Sequence, residues 1–402
     1  MRPLAAVAAL LAALALAAAA AAQTRAEPTL QQRLARALRV PHVQPSRTGA
    51  LAVELATGKT VFTRNATAPF APASNEKLPV TLAALSVLGP AFRFETDVLG
   101  EGSQQGSVWR GSLVLQGHGD PTLSRFDLKT LALQLSRLGL RRVTGPVLGD
   151  ESWFDSRRTA PGWKPSFYVN ESPPLSALAV DRAHYRGAAS TQPALGAALA
   201  FRDALRAAGI VADRATTGRA DAEAFPLASV ASPTLASIVR SMDLESDNFT
   251  AELLLKELGA VAADRGTTAA GAAVVTKQLA AADVPLAGVR IVDGSGLSLL
   301  DRLTPDALVG ILEAAWATPQ LRDRFVASLP VAGVSGTLQD RMRSPPARGN
   351  VVAKTGTTSE ASALSGFVRG RYVFAVVHNG HPISSSWARV AQDRFATVLA
   401  AQ

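Results

Sequence analysis

Apolar side chains recur at helical spacing over Leu30–Leu38. Gly49–Leu55 then alternates apolar and polar positions, Thr57-Gly58 supplies a turn, and Thr60–Thr63 continues the strand, so this stretch predicts a β-hairpin. Lys77–Leu88 is an apolar helical run closed by Gly89-Pro90. Pro79 has no backbone N–H to give, so it must fall in the first turns of that helix. From Phe92 to about Ala228 the pattern changes: short strand-like runs (Ser112–Gln116, Val143–Leu148) stand among clusters of Gly, Pro and Trp, with helices at Leu128–Leu138 and Pro193–Ala208. The chain reads as helical again from Ala231 through Leu258 and over Pro305–Ala317. Near its end come strands Val351–Lys354, Ala363–Val368 and Tyr372–Val377, the last two joined at Arg369-Gly370-Arg371. A closing amphipathic helix puts Trp387, Val390, Ala391, Phe395 and Val398 on one face.

Strands at both ends of the chain flank a helical middle. That arrangement predicts an α+β, multi-domain protein: an antiparallel sheet covered by helices, with the first hairpin beside the last strands, and an inserted α+β domain over 92–228. No internal repeat is present.

Composition sharpens this picture. With 402 residues, 48% of them hydrophobic, the chain can bury a large core. Arg2 followed by an uncharged stretch from Leu4 to Ala22, with small residues before Gln23, predicts an export signal over residues 1–26, cleaved after Ala22 or Ala26. An uncleaved anchor is the alternative, because the run approaches spanning length. Export predicts a periplasmic or cell-wall-associated mature protein. The absence of cysteine excludes a thiol nucleophile and a cysteine-held metal. The net charge of +9 is spread over scattered residues with no basic run, which argues against nucleic acid as a partner.

Three short motifs carry candidate chemistry: Ser74-Asn75-Glu76-Lys77, Ser246-Asp247-Asn248 and Lys354-Thr355-Gly356-Thr357. A serine hydroxyl needs a base, and positions i and i+3 share a helix face, so the Lys77 amine can reach Ser74. Lys77 must be partly neutral to accept a proton; burial and a neighbouring cation such as Lys354 provide for that. If Ser74 opens the helix, its N–H is a free donor for an oxyanion. Ser246 can relay a proton to a leaving nitrogen, and the Asn248 amide can grip a substrate carbonyl. On a strand, Lys354, Thr355 and Thr357 can bind a carboxylate, Gly356 permits close backbone approach, and the Thr357 N–H can complete an oxyanion hole. Each motif alone also fits an ordinary cap, surface lysine or turn. Their occurrence in order is the specific signal.

Other groups carry less. His378 and His381 are a possible metal pair lacking a third ligand. Asp293 and Asp301 fit calcium ligation less well than the structuring of a loop. Ser335, in Gly333-Val-Ser-Gly336, lacks the final glycine of a hydrolase elbow.

The flanking strings Ala73-Ser-Asn-Glu-Lys-Leu78, Gly117-His-Gly-Asp-Pro-Thr-Leu123, Gly149-Asp-Glu-Ser-Trp-Phe154, Ser246-Asp-Asn-Phe-Thr-Ala-Glu252, Asp293-Gly-Ser-Gly-Leu-Ser298, Leu329-Pro-Val-Ala-Gly333, Gly336-Thr-Leu338 and Ala353-Lys-Thr-Gly-Thr357 extend the resemblance. Over nearly the whole mature chain the sequence resembles the class C low-molecular-mass penicillin-binding proteins, the D-alanyl-D-alanine carboxypeptidases and endopeptidases related to penicillin-binding protein 4. The resemblance implies a β-lactamase/transpeptidase-like catalytic domain over 27–91 and 229–402, interrupted by the inserted domain, with a second inserted module reduced to Asp181–Pro193. It implies a serine D-Ala-D-Ala carboxypeptidase acting on peptidoglycan stem peptides, acylated by β-lactam antibiotics, with no metal or organic cofactor. The expected catalytic residues are Ser74, Lys77, Ser246 and Lys354; the expected substrate-binding residues are Asn248, Thr355, Gly356, Thr357 and Asp150, the last matching an acidic position that faces a substrate amine. Leu299 stands where the family commonly has Arg, with Arg302 the nearest substitute. A DD-endopeptidase would use the same residues. A non-catalytic cell-wall binding protein of this fold is the alternative of another class, against which the intact Ser74 and Lys77 stand. No short acidic loop between the second and third motifs is available to activate deacylating water, which disfavours a β-lactamase.

Overall fold

The computed structural model describes residues 28–402; the expected export segment lies outside them. Val351–Thr357, Ala361–Val368, Tyr372–Asn379, Thr48–Glu54 and Lys59–Arg64 form, in that order, a five-stranded antiparallel sheet. The first hairpin lies beside the last strands, with Thr48 opposite His378 and Glu54 opposite Tyr372. Ala361–Val368 and nearly all of Tyr372–Asn379 are buried on both faces; Tyr372–Val377 is an unbroken apolar run, while Ala361–Val368 carries the buried Ser362 and Ser365.

One face is covered by helices Leu30–Ala37 and Ser385–Ala400, around Leu34, Phe62, Phe374 and Phe395. The other packs on helices Lys77–Val87 and Pro305–Ala317, around Leu78, Leu85, Leu308 and Phe367. The closing helix buries Ala388, Ala391, Gln392, Phe395, Ala396 and Leu399, a stripe rotated from the expected one. The rotation turns Gln392 inward, where its amide donates to Ser362 Oγ at 3.0 Å.

A second sheet of seven strands is drawn from Glu95 to Ala231. Its path runs Ala215–Thr217, Val147–Asp150, Val108–Gly117, Glu95–Gln105, Phe225–Ala231, with the short Arg142–Val143 and Val211–Ala212 alongside. Helices Arg125–Arg137 and Pro193–Ala207 close over Trp109, Leu113, Leu135 and Phe201. The expected strand Val143–Leu148 is two strands: Pro146 has no N–H to offer a ladder, and Gly145 lies so close to Gly111 that a Cβ there would stand 2.4 Å from its carbonyl oxygen. Phe225–Ala231 pairs with Glu95–Gly100, so the sheet continues past the expected boundary at Ala228. The stretch expected to hold a reduced module carries a two-stranded ribbon, His184–Tyr185 with Ala188–Ala189.

The expected helical stretch over Ala231–Leu258 is two helices, Leu235–Glu245 and Asn248–Ala263, broken at Ser246, whose φ is 59°. Helices Thr268–Ala281 and Pro319–Ser328 complete that layer. Between the strands of the second sheet, the chain leaves it and lays Phe154, Leu175, Ala177 and Ala179 against Phe249 and Leu253 of the helix after the break. No helix among the described residues is long and apolar enough to cross a membrane.

Candidate active site

Ser74 lies in a tight 3₁₀ turn, Ala73–Glu76, that precedes the helix rather than in the first turn of the helix itself. The helix begins at Lys77 and takes Pro79 within its first turn, where a missing donor does no harm. Two close approaches fix the turn. Ala73 has φ 48°, and a Cβ on Gly296 would stand 1.9 Å from its carbonyl oxygen. From the other side, a Cβ on Gly356 would come within 3.0 Å of Ser74 N, so only glycine lets that strand lie against the serine backbone.

Lys77 is fully buried and its Nζ donates to Ser74 Oγ at 3.2 Å, Asn248 Oδ1 at 2.8 Å and the Ser295 carbonyl at 2.7 Å. Burial lowers its pKa to about 8, against the opposing pull of Asp293, Asp247, Glu252 and Asp243. Lys354, also buried, donates to Ser246 Oγ at 2.9 Å and to the Thr355 carbonyl at 3.0 Å. Burial and the charge of Lys77 bring its pKa to about 7, opposed by Asp243. Asn75 ties the turn to the strand, its amide donating to the Lys354 carbonyl at 3.1 Å.

Ser74, Ser246, Thr355, Gly356 and Thr357 line one cavity of about 430 Å³, joined by Thr337, Asp340, Arg341 and Arg389. Thr355 and Thr337 hydroxyls meet at 2.7 Å. Arg341 is held by Asp393 at 2.7 Å, while Arg389 reaches Thr357 Oγ1 at 3.5 Å.

Asp150 is not among these residues. It lines a separate cavity with Phe154 and Arg219. Its carboxylate accepts from Gln116 Nε2 at 2.9 Å and from the Ser152 and Ala220 N–H groups at 2.8 and 3.0 Å. Those bonds hold the end of a strand, where a substrate-facing acid was expected. Arg302 likewise bends back onto the Leu299 and Asp301 carbonyls.

Beneath the site lies a loop built by carboxylates. Asp293 accepts from the N–H groups of Gly296 and Ser298, both at 2.7 Å, and from Trp163 Nε1 at 2.8 Å. Asp301 accepts from Val292 N–H at 2.7 Å, and Glu252 from Gly294 and Ser295 N–H at 3.0 and 2.8 Å. These are loop-structuring bonds. Burial and mutual repulsion raise Glu252 to about 8 and push Glu76 and Asp301 well above the ordinary carboxylate range. His378 and His381 do not pair: His378 is buried against Thr48 Oγ1 at 3.0 Å, and His381 is exposed beside Glu360. The Ser335 hydroxyl accepts from Val331 N–H.

Ser295, Asn75, Glu252 and Thr337 stand inside the longer strings, and nothing in the sequence gives them a role. Trp163, Glu171 and Arg182, which reach the site from the 92–228 stretch, gave no signal, since none falls in a periodic segment.

Comparison with known proteins places this geometry in context. The model of the D-Ala-D-Ala carboxypeptidase 3 (S13) family matches residues 30–190 and 182–402. Over 458 residues the chain is 33% identical to a D-alanyl-D-alanine carboxypeptidase of an Actinomadura species, covering 92% of this chain and 84% of that protein. Its fold is that of penicillin binding protein 4 from Haemophilus influenzae, with a TM-score of 0.80 at 23% identity over 91% of this chain and 97% of the other. The same protein complexed with a β-lactam matches with a TM-score of 0.75, at the same identity and coverage.

Proposed function

The chain belongs to the S13 family of D-Ala-D-Ala carboxypeptidases, and we propose that Ser74 is the nucleophile through which it hydrolyses the terminal D-Ala-D-Ala bond of peptidoglycan stem peptides. The observation that carries this reading is the buried Lys77 amine, 3.2 Å from Ser74 Oγ and softened toward a neutral base by burial. Ser74 Oγ attacks the carbonyl carbon of the scissile bond while Lys77 takes its proton. The N–H groups of Ser74 and Thr357 receive the oxyanion. The tetrahedral adduct collapses as the departing D-Ala nitrogen takes a proton through Ser246, which Lys354 orients and resupplies. Lys77 then passes the proton it took to Lys354 through solvent, water attacks the ester carbonyl with its proton going to the now neutral Lys77, and Lys77 returns that proton to Ser74 Oγ as the ester bond breaks.

Asn248 orients the peptide, and Thr355 and Thr357 receive the terminal carboxylate. Gly356 keeps the strand close enough for the substrate to lie along it. β-Lactams, acyl donors of similar shape, occupy the same serine. Residues 92–228 form an inserted module, and the mature chain works outside the cytoplasm after loss of residues 1–26. Incubation with purified muropeptides, resolved by mass, tests the reaction. Pentapeptides should lose one D-Ala each. Splitting of cross-linked dimers with no such loss would make the enzyme an endopeptidase, and no turnover beside intact folding would leave it a binding protein.

A further inference from the structure

Asp181, Arg182 and Ala183 have φ of 48°, 58° and 59°, with no glycine among them. A left-handed residue with a side chain costs about 1–2 kcal/mol. Three in succession form one left-handed turn, closed by His184 N–H on the Val180 carbonyl at 3.1 Å. Backbone of this kind persists only where its surroundings over-determine it. Here they do so from both sides. Asp181 N–H donates to the Leu123 carbonyl at 2.9 Å, and its carboxylate accepts from Arg125 Nε at 2.8 Å. Arg182 points the other way and donates through both terminal nitrogens to the Asp247 carboxylate, at 2.6 and 2.7 Å. Its guanidinium stands over the Phe249 ring, 5.2 Å from the centroid.

Asp247 is the middle residue of the second motif. It also caps the helix that follows, accepting from Phe249 N–H at 3.1 Å and Thr250 Oγ1 at 2.6 Å. On one side of it is Ser246, itself left-handed and bonded to Lys354. On the other is Asn248, whose Oδ1 receives Lys77 and whose Nδ2 donates to the Glu171 carbonyl at 2.9 Å.

We propose that Arg182 is a positioning residue for the acyl transfer: held by a strained turn of the inserted stretch, its fork on Asp247 sets the aim of Ser246 and Asn248, and its charge offsets the Asp247 carboxylate facing Lys77. The inference rests on the reading of Ser74 as nucleophile and Lys77 as base. Asp293, Glu252 and Asp243 face Lys77 from the loop and helices beneath it, Glu76 from the adjoining turn, and Lys354 from the strand opposite. Of the acids, Asp247 is the one paired with a cation from the inserted stretch. Burial works against its charge, but Arg182 and Thr250 hold it below its ordinary range. Without Arg182, the field of Asp247 falls on Lys77 uncompensated. Lys77 then keeps its proton to higher pH, and the acid limb of the rate profile moves up.

The test is the second-order rate of Ser74 acylation by a penicillin against pH, with the thermal midpoint, in the full chain and in Arg182→Ala, Arg182→Lys, Asp247→Asn and the Arg182→Ala/Asp247→Asn pair. Arg182→Ala should acylate about 10- to 100-fold more slowly, with the acid limb raised by roughly one unit. Arg182→Lys should keep the limb and recover only part of the rate, because an ammonium cannot make the fork. In the Asp247→Asn background, removing Arg182 should change the rate less than about twofold. A lowered thermal midpoint with the parental rate and profile would overturn the proposal, as would an equal loss in the Asp247→Asn background. Should Arg182→Ala not fold, Arg182→Lys at the full parental rate overturns it. A parent chain that takes no label at Ser74 refutes the underlying reading instead.

Discussion

The two sheets of this molecule carry different kinds of work. The five-stranded sheet is antiparallel throughout and covered by helices on both faces, and its edge strand brings Lys354 and Gly356 against the Ser74 turn. The seven-stranded sheet mixes parallel and antiparallel pairs and forms its own core beneath two helices. It contributes no strand to the first sheet; what it sends toward the site is irregular chain bearing Trp163, Glu171 and Arg182. The candidate chemistry thus gathers where the first sheet's edge meets the Ser74 turn, the Lys77 helix and the break at Ser246, and the second region reaches it through the Glu171 carbonyl, the Trp163 indole and the Arg182 guanidinium. A site held from two sides in this way is preorganised at the point where its middle motif would otherwise be a free break between helices.

The largest expected effect is at Lys77, on the helix that follows the Ser74 turn. Lys77→Ala should slow acylation of Ser74 by about 10³-fold, the scale of losing a positioned base, measured as label formed per unit time under excess penicillin. A loss below tenfold would mean that another group takes the proton. Lys354→Ala should cost about 10²-fold with the acid limb little moved, because burial is what lowers Lys77. Lys354→Arg should recover only part of the rate. An acid limb moved upward in Lys354→Ala would show that the Lys354 charge also tunes Lys77.

Effects in the second region should separate stability from chemistry. Phe201→Ala, a fully buried ring in the second core, should destabilise by about 3–5 kcal/mol. Denaturant unfolding followed by tryptophan fluorescence measures the loss, while acylation of the still-folded protein should stay within about threefold of the parent. Loss of acylation before unfolding would join the two regions into one cooperative unit. Smallest of all is Asp150→Asn, expected to cost about 1 kcal/mol through weakened bonds to Ser152 and Ala220. It should leave the preference between peptides with a free and an acetylated amine unchanged. A selective loss for the free amine would return Asp150 to the substrate.

How much of this was legible in the sequence also divides between the regions. Strands such as Tyr372–Asn379 are apolar on both faces and stand out as runs. The long hairpin of Glu95–Gln105 with Val108–Gly117 does not, because its far half is exposed and spelled Glu-Gly-Ser-Gln-Gln, a composition that reads as loop. The motif residues were legible because their spacing is local: Ser74 and Lys77 lie three apart, and Ser246 and Asn248 two apart. Arg182 and Asp247 lie 65 apart in the chain, and no periodicity connects them. The break at Ser246 was half legible: the motif reads as a loop or as a helix cap before Phe249, and Asp247 does cap the next helix, but nothing local announces the left-handed φ of 59° at Ser246. Asp150 shows the converse: a string that matches a family position gives the acid but not its hydrogen bonds to Gln116, Ser152 and Ala220.

The central claim, that a serine in a tight turn is acylated by way of the lysine three residues on, is tested most directly by intact mass. The mature chain and its Ser74→Ala variant are incubated with benzylpenicillin, weighed, digested and mapped. The account predicts one adduct of the antibiotic's mass on the parent, localised to the peptide containing Ser74, and none on the variant while its circular dichroism is unchanged. An adduct of the same mass on the Ser74→Ala protein, or one mapped to another serine of the parent, would contradict it.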